Sequence, residues 1–276
     1  MDKARLYVVA TPIGNMDDIS LRALHVLASV DVIAAEDTRH SRPLLARHGI
    51  ERPLVALHEH NEERQAPVLV ERLRSGESVA LVSDAGTPMI SDPGYRLVSA
   101  AAEAGIEIVS VPGPSAVTAA LSVSGLPTDR FVFEGFLPSR PAARKQRLEA
   151  LRAETRTLVM FESSHRVDSA LVDLASVFGP QRRVALCREL TKRFETVLRG
   201  TLEEVAERVS ADGDQRKGEF VLVVAGCAGS ANASLQDAVE LARALREHVG
   251  ASQAARIASR IHGVSRRDLY RELDDD

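Results

Sequence analysis

The stretch SVALVSDAGTPMISDPG, residues 78–94, decides how the rest of the chain reads. Ser78–Val82 is a short apolar run of the kind a buried strand shows. It gives way at once to small, acidic and proline-containing residues, and Tyr95–Ala104 then places apolar residues at helical spacing. A strand that runs through a polar turn into a helix is the repeating unit of a parallel sheet, because parallel neighbours need a crossover connection.

The same succession recurs through the first half of the chain. Leu6–Ala10 runs into Thr11-Pro12-Ile13-Gly14-Asn15 and then a helical pattern over Ile19–Val30, which Asp17 or Asp18 is available to cap. Val32–Ala35 runs into Glu36-Asp37-Thr38-Arg39. Pro53 precedes a strand at Leu54–Leu57. Glu107–Val111 runs into Pro112-Gly113-Pro114-Ser115 and a helix over Ser115–Val123. Leu44–His48 and Val68–Leu73 are also helical in pattern. The expected class is α/β, with a mostly parallel sheet covered by helices on both faces.

Gly125-Leu126-Pro127 is a natural joint. Beyond it, strands fit Phe131–Gly135, Leu158–Phe161, Val184–Cys187, Thr196–Gly200 and Phe220–Ala225. Helices fit Ala142–Ala153, Val167–Phe178 and Leu202–Val209, so a second α/β domain with a mixed sheet is expected. Cys227–Ser234 is small and polar, like a linker. Helical patterns then fill Leu235–Val249, Ser252–His262 and Ser265–Leu273, the last two parted by Gly263-Val264 as in a helix-turn-helix. The expected division is 1–124, 125–228 and a tail at 234–276, ending in Asp274–Asp276 as a frayed, solubilising terminus.

Composition excludes several classes. The net charge is −4, so any nucleic-acid contact has to come from local basic patches. Aromatic residues are 4% and tryptophan is absent, which disfavours broad base-stacking platforms. Cys187 and Cys227 are far apart and no Cys/His cluster accompanies them, so neither a disulfide framework nor a zinc site is expected. No secretion signal or run of ~20 apolar residues is present, so a cytoplasmic protein without a membrane span is expected.

Four polar turns, after the first, second, fourth and fifth strands, fall on one edge of a parallel sheet. That is the carboxyl edge, where open α/β folds bind ligands. Any one of them is explained by the needs of a turn and a helix cap. Four together, with Ser91-Asp92-Pro93-Gly94 close behind, read as a ligand crevice. No GxGxxG or GxxxxGK[ST] occurs, so a pyrophosphate cradle is poorly supported, although Glu36 stands about where a dinucleotide fold places its ribose-binding acid. A cationic, adenosine-bearing ligand fits better: Asp84 can meet a positive group, and the Gly86 and Gly113 backbones can lie against an adenine or ribose edge.

Eight blocks in order carry a resemblance: VATPIGN (9–15), AAEDTR (34–39), VSDAGTPMISDPG (82–94), VPGPSA (111–116), FEGFLP (133–138), FESSHR (161–166), CRELTK (187–192) and GEFVLVV (218–224). Together, from about Leu6 to Ala225, they resemble the ribosomal RNA small-subunit methyltransferase I family, cytidine 2′-O-methyltransferases within the tetrapyrrole-methylase superfamily. The C-terminal helices resemble a helix-turn-helix appendage of that family. The resemblance implies a two-domain methylase of 16S ribosomal RNA, a homodimer, with S-adenosylmethionine between the domains. By motif, Pro12 and Gly14 would line the cofactor pocket. Asp84, Ala85, Gly86 and Pro88 would replace the superfamily's acidic glycine loop. Pro112, Gly113 and Ser115 would lie under the cofactor, and Phe161 near its adenine side. The family usually has tyrosine and proline where this chain has Phe161 and Ser164.

Methyl transfer to a ribose hydroxyl needs alignment and a proton acceptor, and no metal. Glu36, Asp37, Glu162, His165, Glu189 and Lys192 are the candidates for that role, with Glu36–Arg39 and Glu162–Arg166 as walls of the substrate site. Arg39, Arg166 and Lys192 suit phosphate. A basic stretch that includes Arg144 and Lys145 reads as a phosphate-tracking rim, and Arg266 and Arg267 in the tail as a second RNA contact, the substrate being naked RNA or the assembled small subunit. The competing readings are a tetrapyrrole C-methylase, a non-catalytic nucleic-acid-binding regulator and, more weakly, a dinucleotide oxidoreductase.

Overall fold

The computed structural model describes residues 4–227, 231–246, 248–262 and 264–274. Its first half is a parallel sheet of β1 (Arg5–Val9), β2 (Val32–Ala35), β3 (Leu54–Ala56), β4 (Val79–Val82) and β5 (Glu107–Val111), in the order β3-β2-β4-β1-β5. β4 lies at the centre and all four of its residues are buried. A strand covered on both faces has no polar side to present, which is why its sequence is a continuous apolar run.

Helices α1 (Leu21–Ser29) and α2 (Thr38–Arg47) cover one face, burying Ala23, Leu27, Leu44 and Leu45 against Ile33, Ala35, Ala80 and Val82. Helices α3 (Glu62–Arg74) and α4 (Tyr95–Glu103) cover the other, burying Leu69, Leu73, Leu97 and Ala101 against Leu6, Ala34 and Leu81. Alternate residues of each strand thus feed opposite cores.

Two start signals differ from expectation. The cap of α1 is Ser20, whose side chain accepts from the Ala23 N–H; Asp17 and Asp18 instead form a short 3₁₀ turn capped by Asn15. The expected helices at Leu44–His48 and Val68–Leu73 are the second halves of α2 and α3, which run straight through Pro43 and Pro67.

The second sheet holds β6 (Phe131–Phe136), β7 (Thr157–Ser163), β8 (Arg183–Arg188), β9 (Thr196–Thr201) and β10 (Glu219–Val224), in the order β6-β7-β10-β8-β9. β6 and β7 are parallel and the other pairings antiparallel, so the sheet is mixed. One face packs on α6 (Pro141–Leu151), α7 (Val167–Phe178) and α8 (Leu202–Ala211). The opposite face is covered by α5 (Ala116–Ser124), the helix that follows β5 of the first sheet. Its Val117, Ala120 and Leu121 join Ile13 and Leu190 over Val159, Ala185, Cys187, Val221 and Val223.

The tail is α9 (Ala231–Arg246), α10 (Ala251–His262) and α11 (Arg266–Asp274), with its own core of Ala238, Val239, Ala242, Ala255, Ala258, Leu269 and Leu273. Residues 228–230 of the expected linker, the expected turn residue Gly263 and the final Asp275-Asp276 lie outside the described residues, while 231–234, expected as linker, form the start of α9. Among the described residues no helix is long and apolar enough to cross a membrane.

Candidate functional site

All four polar turns meet at the carboxyl edge of the first sheet, and the loop after β4 joins the other three. The Thr11 N–H donates to the Gly86 carbonyl at 2.8 Å and the Gly86 N–H returns a bond to Thr11 at 3.1 Å, linking the β1 turn. The Asp84 side chain accepts from the Asp37 N–H at 3.0 Å, linking the β2 turn. The Thr87 hydroxyl donates to the Pro114 carbonyl at 3.0 Å, linking the β5 turn. Gly86 has φ +82°, and a Cβ there would come within 3.2 Å of the Ile13 side chain, so both the backbone angle and the close approach call for glycine. Met89 and Ser91 in the same loop also hold positive φ, 70° and 72°. Backbone strain of this kind persists only where neighbours over-determine it, and it clusters at functional sites.

The second sheet closes over this edge with the ends of β7, β8 and β10. Glu162, buried at the end of β7, is ion-paired with Arg166 at 2.7 Å through Oε1, while its Oε2 is buried without a hydrogen-bond partner. Phe161 beside it stacks edge-on with Phe133 and Phe136, ring centres 4.9 and 5.5 Å away. After β8 the chain turns through Glu189 and Thr191, both at positive φ, and Lys192 reaches Glu189 at 3.0 Å and Glu219 at 2.8 Å. Gly14 is required here: a Cβ on it would overlap the Lys192 stem.

Two cavities result. The larger, about 510 Å³, lies between the sheets and takes in Glu36, Gly86, Asp92, Ser115, Phe161 and Glu162. The smaller, about 270 Å³, lies toward α2 and takes in Thr11, Pro12, Gly14, His40, Ser41 and Lys192. Ile13, Asp84, Ala85 and Glu219 line both.

The electrostatics follow from this crowding of acids. Burial and then Glu36 push the Asp92 carboxyl up to about 7. Glu36 is itself raised, chiefly by burial. Asp37 goes the other way: it caps α2 and is held below the usual carboxylate range by its hydrogen bonds from Arg39. Burial pulls the Lys192 ammonium down, but Glu219 and Glu189 outweigh it and leave the group raised.

Of the expected residues, Pro12, Gly14, Asp84, Ala85 and Lys192 line the smaller cavity, and Glu36, Asp84, Ala85, Gly86, Ser115, Phe161 and Glu162 the larger. Pro88 is buried and lines neither, and Gly113 is packed on Ala10. Pro112 also lines neither.

Several expectations need correction. His165 is exposed and lines neither cavity, so it has no approach to a reacting group there. Arg144 is no phosphate contact: it is 2% exposed and bonded through Nε to Asp173 at 2.7 Å, a tie between α6 and α7. Lys145, half exposed, shares Asp173 at 3.4 Å, and Arg147 and Arg156 are paired with Glu134 and Glu154, so the basic stretch is largely neutralised in place. Arg166 is bonded to Glu162 and to the Leu137 carbonyl, and Arg39 is exposed but paired with Asp37. Arg266 and Arg267 are exposed at the start of α11.

Sequence reasoning missed His40, Thr87, Asp92, Phe136 and Glu219 as cavity residues. Phe136, Asp92 and Glu219 stand inside blocks already singled out, so the signal was present. His40 follows such a block by one residue and is aimed by the helix that Asp37 starts.

Compared with known proteins, residues 5–206 match the profile of the tetrapyrrole (corrin/porphyrin) methylases, and residues 232–273 that of the RsmI C-terminal HTH domain. The ribosomal RNA small subunit methyltransferase I of Xylella fastidiosa (strain Temecula1) is 56% identical over 265 residues, 96% of this chain and 97% of that protein. That of Escherichia coli O157:H7 is 48% identical, covering 98% and 94%. Among solved structures, uroporphyrin-III C-methyltransferase from Thermus thermophilus in complex with S-adenyl homocysteine superposes with a TM-score of 0.55 at 21% identity, covering 80% of this chain and 97% of that one.

Proposed function

We propose a function from one premise: the chain belongs to the tetrapyrrole (corrin/porphyrin) methylase family and, within it, to the ribosomal RNA small subunit methyltransferase I family. It is a methyltransferase of small-subunit ribosomal RNA. S-adenosylmethionine is the donor, and the acceptor is the ribose 2′-hydroxyl of a cytidine in 16S RNA. The observation that carries this reading is the pair of adjoining cavities with a common wall at Ile13, Asp84, Ala85 and Glu219. Two reactants can meet across that wall.

The larger cavity fits the donor. Glu162 Oε2 is a buried acceptor awaiting a donor group, the loop at Gly86 lies close enough for backbone contact, Phe161 and Phe136 offer an aromatic wall, and Asp84, Asp92 and Glu36 suit a cation. Bound there, the donor supplies an electrophilic methyl on a sulfonium. The protein's part is then to orient, to exclude water and to take up a proton. The rigid turns at Gly14 and Gly86 fix the alignment, and alignment alone supplies much of the rate in a displacement of this kind. Lys192, fixed by two carboxylates, is a cation at the smaller cavity suited to a phosphate of the acceptor strand.

Arg266 and Arg267 give the tail a basic, exposed helix start, which suits it to hold RNA. The division at 1–124, 125–228 and 234–276 is proposed as the functional one: donor loops, closing domain and RNA-holding tail. Assembly as a homodimer in the cytoplasm completes the reading.

The test is mass-spectrometric mapping of methylated nucleosides in ribosomes from cells lacking the protein, with transfer of labelled methyl to isolated small subunits by the purified chain. Loss of one 2′-O-methylcytidine is expected. An unchanged map, or transfer to a uroporphyrinogen-like macrocycle instead, would refute it. Titration calorimetry with the donor should give binding that Asp84→Ala abolishes.

A further inference from the structure

Among the described residues His40 is the one imidazole lining either cavity, and it does not hang free. Its Nδ1 lies 2.8 Å from Asp84 Oδ2, and the other oxygen of that carboxylate is fixed by the Asp37 N–H. A carboxylate only accepts, so Nδ1 is the protonated nitrogen and Nε2 carries the lone pair of the neutral ring. Among the described residues Nε2 makes no hydrogen bond. Asp84 lines both cavities and His40 only the smaller. From these contacts we infer that His40, oriented by Asp84, is the proton acceptor for the hydroxyl that is methylated. This inference rests on the reading of a ribose hydroxyl as the acceptor.

The other candidates fail on geometry. Asp37 is occupied in capping α2 and pairing Arg39. Glu162 belongs to the larger cavity and is paired with Arg166. Lys192 already holds two carboxylates. Glu36 lines only the larger cavity, where its carboxylate faces the Asp84 N–H. His165 lies outside both.

The step balances without a metal or an oxidant. The 2′-O–H bond breaks as Nε2 takes the proton. The oxygen's electron pair forms the O–CH₃ bond, the C–S bond breaks, and its electron pair stays on sulfur, which passes from sulfonium to neutral thioether. The imidazolium so formed faces the Asp84 carboxylate, which stabilises it. Asp84 is thus a positioning residue for the base as well as a wall of the donor cavity.

The charged groups around the ring are Asp84 after β4, Glu36 and Asp37 after β2, Arg39 on its own helix, and Lys192 and Glu219 across the cavity. Asp84 dominates and raises the imidazole above its ordinary value. A base must be unprotonated to act, so single-turnover methylation should rise with pH through the His40 transition and then level off.

The experiment compares wild type, His40→Gln and Asp84→Asn. Nuclear magnetic resonance titration of the free protein reads the His40 midpoint, which should fall toward the ordinary imidazole value of ~6.5 in Asp84→Asn. His40→Gln, at an exposed ring, should fold and bind the donor as wild type does, yet methylate small subunits on the order of 10²–10⁴-fold more slowly and lose the acidic limb of the profile. A His40→Gln protein that keeps the wild-type rate and limb, or an imidazole midpoint indifferent to Asp84→Asn, overturns the assignment. Alkaline hydrolysis of the product separates the two levels. An alkali-resistant dinucleotide from wild type upholds the ribose reading, so an undiminished His40→Gln rate then sinks the dyad alone. A base-methylated product sinks both.

Discussion

Asp92 is neither clearly charged nor clearly neutral at physiological pH, because burial and Glu36 lift its carboxyl from 3.8 to about 7. The native state therefore holds a proton there that the unfolded chain has released. Between about pH 4 and pH 7 the native state binds more protons, so this group makes stability fall as pH rises across that window. Asp92→Asn removes the dependence, and its melting temperature should exceed that of wild type by a margin that grows from pH 5 to pH 8. A cation entering the larger cavity favours the ionised form, so donor binding near pH 6–7 should release protons. Calorimetry in buffers of different ionisation enthalpy measures this; an observed binding enthalpy independent of buffer would contradict it. At this scale the sequence revealed the acids and glycines of the turns. It did not reveal which carboxylates share a wall. That depends on the loop after β4 folding back through Thr11, Asp37 and Pro114, contacts up to 75 residues apart in the chain.

Helices α6 and α7 are tied by Arg144 and Asp173, both side chains less than a tenth exposed. Removing one partner of a buried pair leaves the other uncompensated, at a cost of about 3–5 kcal/mol. Arg144→Met should lower stability by that amount in denaturant titrations, less what Lys145 recovers by approaching Asp173. It should leave affinity for RNA at a given salt concentration unchanged, which a phosphate contact would not. The error in reading this helix was one of face: a run of arginines announces charge but not direction, and the residue that turns inward does so because an aspartate on the next helix meets it. The helices α2 and α3 teach a related lesson. Proline lacks an N–H and discourages the preceding helical residue, so the helical patterns legible in the sequence begin only after Pro43 and Pro67. Each helix forgoes one hydrogen bond and continues, because buried Leu44, Leu45, Leu69 and Leu73 repeat on its inner side. The strands were legible almost to the residue, since the central ones are buried on both faces and contain nothing else.

The whole molecule has a methylase body and a helical tail whose core, from Ala238 to Leu273, is built from tail residues alone. A chain ended after Ala225 should therefore bind the donor with unchanged affinity. Its affinity for small subunits should drop at least about tenfold, with a shallower dependence on salt because the tail's arginines release counterions. Equal binding by the two forms would remove the tail from substrate recognition. The two sheets differ in this respect from body and tail. Helix α5 leaves the last strand of one sheet and buries Val117, Ala120 and Leu121 on the other. Neither sheet keeps its apolar cover if the other departs. The body should consequently melt in a single calorimetric transition, with van't Hoff and calorimetric enthalpies equal. Reactants therefore enter and leave past the turns that rim the two cavities, while the halves stay joined as one hinge-free block.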